Sequence, residues 1–306
     1  MVQIGASLPQ YGPGAAPDAL AGVARRAEET GLGSVWTNER WLRPTKPIAM
    51  GGPGGPEMMG PEQWADAHDP LETLAYVAAT TERVLLGTSV IPALLHNPVL
   101  LARRLATLDR LSAGRLLAGV GQGWMEQEFT AAGVPLARRG AGFEEHLGVM
   151  RAVWGPKPVR VDGRFYRVPE SEIGPKPVRA GGPAVLVGAG SPAAVDRAAR
   201  LGLGLSLVVF DWDALRATVG AFRASAAAAG HDAASLPLVV QVNGGVTAGP
   251  AVAERGPVTG SVEQVAEDLL ELDRLGVDHV FWAMIDQDEQ IDVLSRLSLA
   301  YADAAS

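Results

Sequence analysis

The sequence predicts an α/β protein folded as a (β/α)8 barrel. Short apolar strands alternate with amphipathic helices from end to end, eight times in 306 residues. Such alternation implies a parallel sheet, and eight units in 250–300 residues fit a closed barrel. Apolar residues make up 47% of the chain, enough to fill both the barrel and the layer under its helices. An open doubly wound sheet is the alternative architecture. No internal repeat is visible, and the chain reads as one domain over residues 1–306.

Val2–Leu8 alternates and stops at Pro9, as a short strand does. Asp18–Thr30 has helical spacing (Leu20, Val23, Ala24, Ala27) and ends at Gly31. Ser34–Thr37 is the second strand. Asp69-Pro70-Leu71-Glu72 opens a helix, with Asp69 as N-cap, Pro70 at N1 and Glu72 at N3. Val84–Ile91 is the third strand, and Asn97-Pro98 starts the helix that runs to Ser112 before Gly114. Leu116–Val120 is the fourth strand. Phe143, Leu147, Met150 and Trp154 mark the next helix.

Proline-rich sequence from Gly155 to Pro183 interrupts the rhythm as an insertion. Within it, Val159–Val168 reads as a β-hairpin with Asp162-Gly163 in a type I′ turn. Strand Ala184–Val187 follows, then a helix opened by Ser191-Pro192 and closed near Gly202. Leu205–Val209 leads to a helix around Leu215–Ala229. Leu238–Val242 leads to a helix capped by Ser261, with Gln264 completing a capping box. Val277–Ile285 is the eighth strand and Ile291–Ala302 the last helix.

Acidic residues outnumber basic ones, 34 to 26, for a net charge of −8. This balance leaves no basic footprint for nucleic acid or an anionic membrane. No apolar run reaches 18 residues, and the N-terminus reads as a strand rather than a signal peptide. A cytoplasmic location is the expectation. With no cysteine, disulfides, thiolate catalysis and Cys-ligated metals are excluded. The five histidines form neither HxH nor HExxH, so no metal site is expected. No GxSxG elbow occurs.

In a barrel of this kind the chemistry lies at the C-terminal ends of the strands. Four segments there stand out. Thr88-Ser89-Val90-Ile91-Pro92 meets small polar residues and then proline, as a bulged strand does; an ordinary strand ending at Pro92 fits equally. In Gly119-Val120-Gly121-Gln122-Gly123-Trp124, alternate glycines leave room for a planar ring against the backbone, although glycine-rich turns are common. Gly188-Ala189-Gly190-Ser191-Pro192 begins a helix whose free N–H groups suit a phosphate, or simply cap it. The connection 38–68 is far longer than a usual βα loop and suggests a lid or binding loop, bordered by Trp36, Trp41 and Trp64.

These residues carry a resemblance. LGTSVIPALLHNPVLLARRLATLDRLSAGRLLAGVGQGWMEQEF, VGAGSPAAVDRAARLGLG and TGSVEQVAEDLLELDRLGVDHVFW occur in order, and together they resemble the bacterial luciferase-like monooxygenase superfamily. Within it the chain is similar to oxidoreductases that use the deazaflavin coenzyme F420. The resemblance implies a luciferase-like barrel with insertions and a cis peptide at Ser89-Val90 beneath the cofactor ring. It implies that Val120, Gly121 and Met125 lie beside the ring and ribityl chain, and that Gly188, Ala189, Gly190 and Ser191 hold the phosphate. Glu39 matches an acid near the pyrimidine edge. Arg40 replaces a histidine common in the family, and Ala189 replaces a glycine. Gln122 and Glu126 are candidate proton donors.

The function implied is hydride transfer between F420 and a small organic substrate with a C=C, C=N or alcohol/carbonyl group. The alternatives are an FMN-dependent monooxygenase and a flavin-binding protein without turnover. A homodimer is the expected assembly.

Overall fold

The computed structural model describes residues 1–305 except 53, 248, 250–254 and 284–288. Eight parallel strands close on themselves: β1 (Gln3–Ser7), β2 (Ser34–Thr37), β3 (Leu85–Thr88), β4 (Leu116–Gly121), β5 (Ala184–Gly188), β6 (Gly204–Val208), β7 (Leu238–Val242) and β8 (His279–Trp282). Each pairs with its neighbours in sequence, and β8 pairs with β1 through Gln3↔His279 to Ala6↔Trp282. Closure rules out the open-sheet alternative. The predicted end of the eighth strand, Met284 and Ile285, lies outside the described residues.

The outer helices are α1 (Pro17–Glu29), α2 (Pro70–Ala78), α3 (Pro98–Leu111), α4 (Ala141–Trp154), α5 (Pro192–Arg200), α6 (Trp212–Ala228), α7 (Val262–Arg274) and α8 (Gln290–Ala305). Their N-termini follow the capping logic of the sequence. Asp69 accepts from the Leu71 and Glu72 amides, and Asn97 from those of Val99 and Leu100. Ser261 and Gln264 form the reciprocal capping box, and Ser191 caps α5 through the Ala194 amide. α6 starts three residues before its predicted span because Asp211 caps it.

Two apolar layers hold the fold. The larger lies between strands and helices. The smaller fills the barrel, with Trp36, Leu117, Leu186, Val239 and Phe281 buried together. Trp36 stacks on Phe281 with centroids 4.7 Å apart, and a Cβ at Gly87 would collide with the Trp36 ring. Trp36 is therefore a core residue rather than a wall of the long loop.

The insertion hairpin forms, but its turn differs from the prediction. Val159–Asp162 pairs with Arg167–Ser171, and Asp162 faces Arg167, so the connection holds four residues. The Glu145 carboxylate accepts the Arg164, Phe165 and Tyr166 amides at 3.1, 2.7 and 2.7 Å. That anchorage from α4 stabilises the wider loop in place of the two-residue turn.

Candidate active site at the C-terminal mouth of the barrel

β3 stops at Thr88, and the chain kinks through a cis peptide between Ser89 and Val90. It then pairs again with β4 through Ile91↔Val120 and Pro92↔Gly121. The kink lets Ser89 turn towards the barrel axis. Its Oγ lies 2.8 Å from Ser206 Oγ of β6 and 3.3 Å from Gln241 Oε1 of β7. Three strands thereby share one polar floor.

The glycines of β4 give space to the neighbouring segment after β3. A Cβ at Gly119 would run into the Thr88 carbonyl oxygen, and one at Gly121 would stand 2.8 Å from Val90 Cγ2. Val90 also lies 3.1 Å from where a Gly188 Cβ would be. The missing side chains make room for the kinked segment after β3, while Gly121 also faces the cavity.

The exit of β2 is fixed with equal care. The Gln10 side chain brackets Asn38, its Oε1 accepting the Asn38 amide at 2.8 Å and its Nε2 donating to the Asn38 carbonyl. Behind that clamp the Glu39 carboxylate is buried (4% exposed), accepting from His96 Nε2 at 2.9 Å and from Trp41 Nε1 at 2.9 Å. Arg40 Nη1 meets Glu128 Oε2 at 3.2 Å, and the guanidinium lies over Trp64 and Trp124, 4.8 and 5.0 Å from their centroids. Among the described residues, the buried Arg40 Nε meets no hydrogen-bond partner. Burial pushes the Tyr11 phenol up to about 12, against the opposing pull of Arg40, so it stays protonated.

A cavity of about 1180 Å³ opens over this floor. Glu39, Arg40, Ser89, Val90, Gly121 and Gln122 line it, and so do Gly188, Ala189, Gly190 and Ser191 of the turn into α5. These ten are among the thirteen residues singled out as catalytic or cofactor-binding. Val120 and Met125 are buried and not among the lining residues. Glu126 is solvent-exposed at the start of the short helix Glu126–Ala131, outside the cavity wall. The acid from that helix that does reach the site is Glu128, 1% exposed. Gln122 Oε1 is occupied by the Gly140 amide at 2.6 Å.

Sequence reading missed His96 and Arg139. Arg139 lines the cavity. His96 precedes the α3 N-cap and carried no motif; only the fold shows that it faces Glu39. A smaller cavity of about 370 Å³ lies at the opposite end of the barrel, beside His279. Burial pushes His279 down to about 4, and its Nδ1 meets Ser34 Oγ at 3.1 Å, the setting of a neutral core imidazole. No cluster of metal-ligating side chains occurs among the described residues.

The residues present suit a phosphorylated flavin-type cofactor. The Gly188–Ser191 turn opens into the cavity, a Cβ at Gly190 would meet nothing, and Arg139 supplies positive charge. The polar floor of Ser89, Ser206 and Gln241 suits a planar heterocycle with polar edges.

Comparison with known proteins agrees. A family model described as luciferase-like monooxygenase matches residues 2–257. An uncharacterised protein of Mycobacterium tuberculosis is 37% identical over 169 residues, 55% of this chain and 60% of that protein. An F420-dependent glucose-6-phosphate dehydrogenase of Kineococcus radiotolerans is 35% identical over 198 residues, 60% of this chain and 52% of that protein. An FMNH(2)-dependent dimethylsulfone monooxygenase of Pseudomonas putida is 30% identical over 175 residues, 54% of this chain and 46% of that protein. The matches thus span about half the length of these relatives. Among solved structures, a monooxygenase from Streptomyces bottropensis superposes with a TM-score of 0.80 at 23% identity, covering 100% of both chains. At that identity the likeness is one of fold.

Proposed function

The chain belongs to the luciferase-like monooxygenase family, and we propose that it is an F420-dependent oxidoreductase acting on a small organic substrate with a C=C, C=N or alcohol/carbonyl group. One observation carries the choice of cofactor. The cavity runs from the polar floor past the Gly188–Ser191 turn and on between α5 and α6. At about 1180 Å³ it exceeds the usual range of roughly 300–1,000 Å³ for a single-ligand site. That length suits a cofactor that continues beyond its phosphate, with space for a substrate at the other end.

The bound deazaflavin would supply the hydride. The chain's own residues do the rest. Gly188–Ser191 and Arg139 hold the phosphate, while Ser89, Val90, Ser206 and Gln241 support the ring. Arg40, packed over the rings of Trp64 and Trp124, orients an oxygen or nitrogen on the substrate. The proton that accompanies the hydride in a reduction comes from the His96–Glu39 pair, whose carboxylate lines the cavity. Glu126 is too exposed for that role, and the Gln122 amide carries no transferable proton.

The test is anaerobic reoxidation of the reduced deazaflavin by ketones, enones and imines, followed by its visible absorbance. Oxidation by one acceptor class, with reduced product formed in equal amount, supports the reading. Oxygenated product from FMNH2 and O2, with no hydride transfer from the deazaflavin, overturns it. That FMN-dependent monooxygenase is the second reading, favoured by the Pseudomonas putida relative.

A further inference from the structure

The polar floor of the cavity has a direction. Ser89 Oγ lies 2.8 Å from Ser206 Oγ and donates to Gln241 Oε1 at 3.3 Å. Gln241 Nε2 in turn donates to Asn243 Oδ1 at 2.9 Å. A serine hydroxyl carries one hydrogen, and a side-chain carbonyl oxygen carries none. Ser89 gives its hydrogen to Gln241, so the hydrogen between the two serines comes from Ser206. The order of donation is Ser206 to Ser89, Ser89 to Gln241, and Gln241 to Asn243.

That order fixes what the floor offers a ligand. Ser89, Ser206 and Gln241 line the cavity, and Asn243 is not among the lining residues. Ser206, 6% exposed, keeps only lone pairs, so it accepts. Gln241 keeps the second hydrogen of its amide nitrogen, so it donates. Ser206 Oγ and Gln241 Oε1 both stand within 3.3 Å of the one Ser89 oxygen, on strands paired through Val208↔Gln241. An acceptor beside a donor matches a ligand edge that carries an N–H next to a C=O. A carbonyl set against Ser206 would instead face lone pairs with lone pairs and leave a buried acceptor unpaired.

We infer that the floor recognises the imide edge of the cofactor ring, Ser206 accepting from the ring N–H and Gln241 donating to the adjacent carbonyl, and that Asn243 is the positioning residue that sets this polarity. The inference rests on the reading that the cavity binds a flavin-type ring. Flavin and deazaflavin carry the same imide, so it holds for either. Were the Gln241 amide reversed, its nitrogen would donate to Ser89 and Ser89 to Ser206. Ser206 would then donate to a ligand instead of accepting from it. The Asn243 carbonyl opposes that reversal by holding the Gln241 nitrogen on its own side.

The experiment is a titration of the full chain with 5-deazaflavin mononucleotide and with its N3-methyl derivative, read by the visible absorbance of the ring. The methyl group removes the imide N–H and leaves the phosphate in place. The expected result is roughly tenfold weaker binding of the methyl derivative, for an acceptor left without its hydrogen bond. Asn243 is exposed, so its replacement leaves the packing intact. Asn243→Ala frees the Gln241 amide to turn and should shrink the gap to within about twofold. Asn243→Asp, which can only accept, should keep it. Equal binding of the two probes by the unmodified chain overturns the inference and leaves the cofactor reading intact. A gap that Asn243→Ala leaves unchanged marks a steric clash with the methyl group and overturns it too. Binding of neither probe overturns the flavin-type reading and the inference with it.

Discussion

Arg40 and Glu128 form an ion pair at 3.2 Å that solvent barely reaches, with side chains 13% and 1% exposed. The pair joins the exit of β2 to the short helix after β4, and Glu128 Oε1 also accepts the Trp41 amide at 3.0 Å. Removing one partner strands the other charge in a dry site. Arg40→Met should therefore cost about 3–5 kcal/mol in urea unfolding. Adding Glu128→Gln should restore much of that loss. A double variant no more stable than Arg40→Met would contradict a mutually compensating pair.

Ser191→Asp keeps a good N-cap on α5, so folding should change by well under 1 kcal/mol, by the near-equivalence of Ser and Asp as caps. A carboxylate beside a bound phosphate repels it. Cofactor affinity should fall by roughly tenfold, a like-charge penalty near 1.4 kcal/mol. Arg139→Gln should weaken binding in the same direction with no change in thermal midpoint. Unaltered affinity in both variants would remove this turn from the cofactor site.

Glu39→Gln replaces one acceptor of the His96 and Trp41 donors by an amide that competes as a donor. If the His96–Glu39 pair delivers the proton, kcat should fall by about a hundredfold, in the usual range for loss of an acid/base group. Cofactor affinity should stay within about threefold, a change under 1 kcal/mol. Loss of affinity with kcat unchanged would make Glu39 a cofactor contact only.

Two buried histidines set an acid limit on stability. Burial pushes His146 down to about 3, with His96 as a lesser cause, and pushes His279 down to about 4. Both are neutral when folded, while unfolded histidine titrates near the ordinary 6.5. Below that value the unfolded state binds more protons. Stability should therefore be full above pH 6.5 and fall progressively through pH 4 towards 3, by on the order of 8 kcal/mol in total. His146→Gln should flatten this dependence in urea titrations across that range. A slope unchanged from the parent chain would contradict the assignment.

Much of the fold is legible in sequence because local chemistry repeats. Asp69, Asn97, Ser191 and Ser261 mark helix starts through side chains that cap within three residues. The strands are short apolar runs between such signals. The hairpin turn departs from its local Asp-Gly signal because Glu145, twenty residues away along the chain, holds the wider loop. The same limit applies to the site. Ser89 and Gly188–Ser191 stand at strand ends and can be found by position. The pairing of His96 with Glu39, or of Arg40 with Glu128, joins residues 57 and 88 apart along the chain, which no local pattern reports. That Gly119 yields to the Thr88 carbonyl and Gly121 to the Val90 side chain is likewise a contact between strands that no local pattern reports. Of the two acids on the short helix, Glu128 and not Glu126 is buried, against Arg40 from the exit of β2.

The central claim is the identity of the cofactor, and parallel titration of the apo-protein with oxidised F420 and with FMN tests it most directly. The account predicts micromolar or tighter binding of F420, with FMN at least about tenfold weaker, a gap of about 1.4 kcal/mol. Micromolar binding of FMN with no measurable binding of F420 would contradict it.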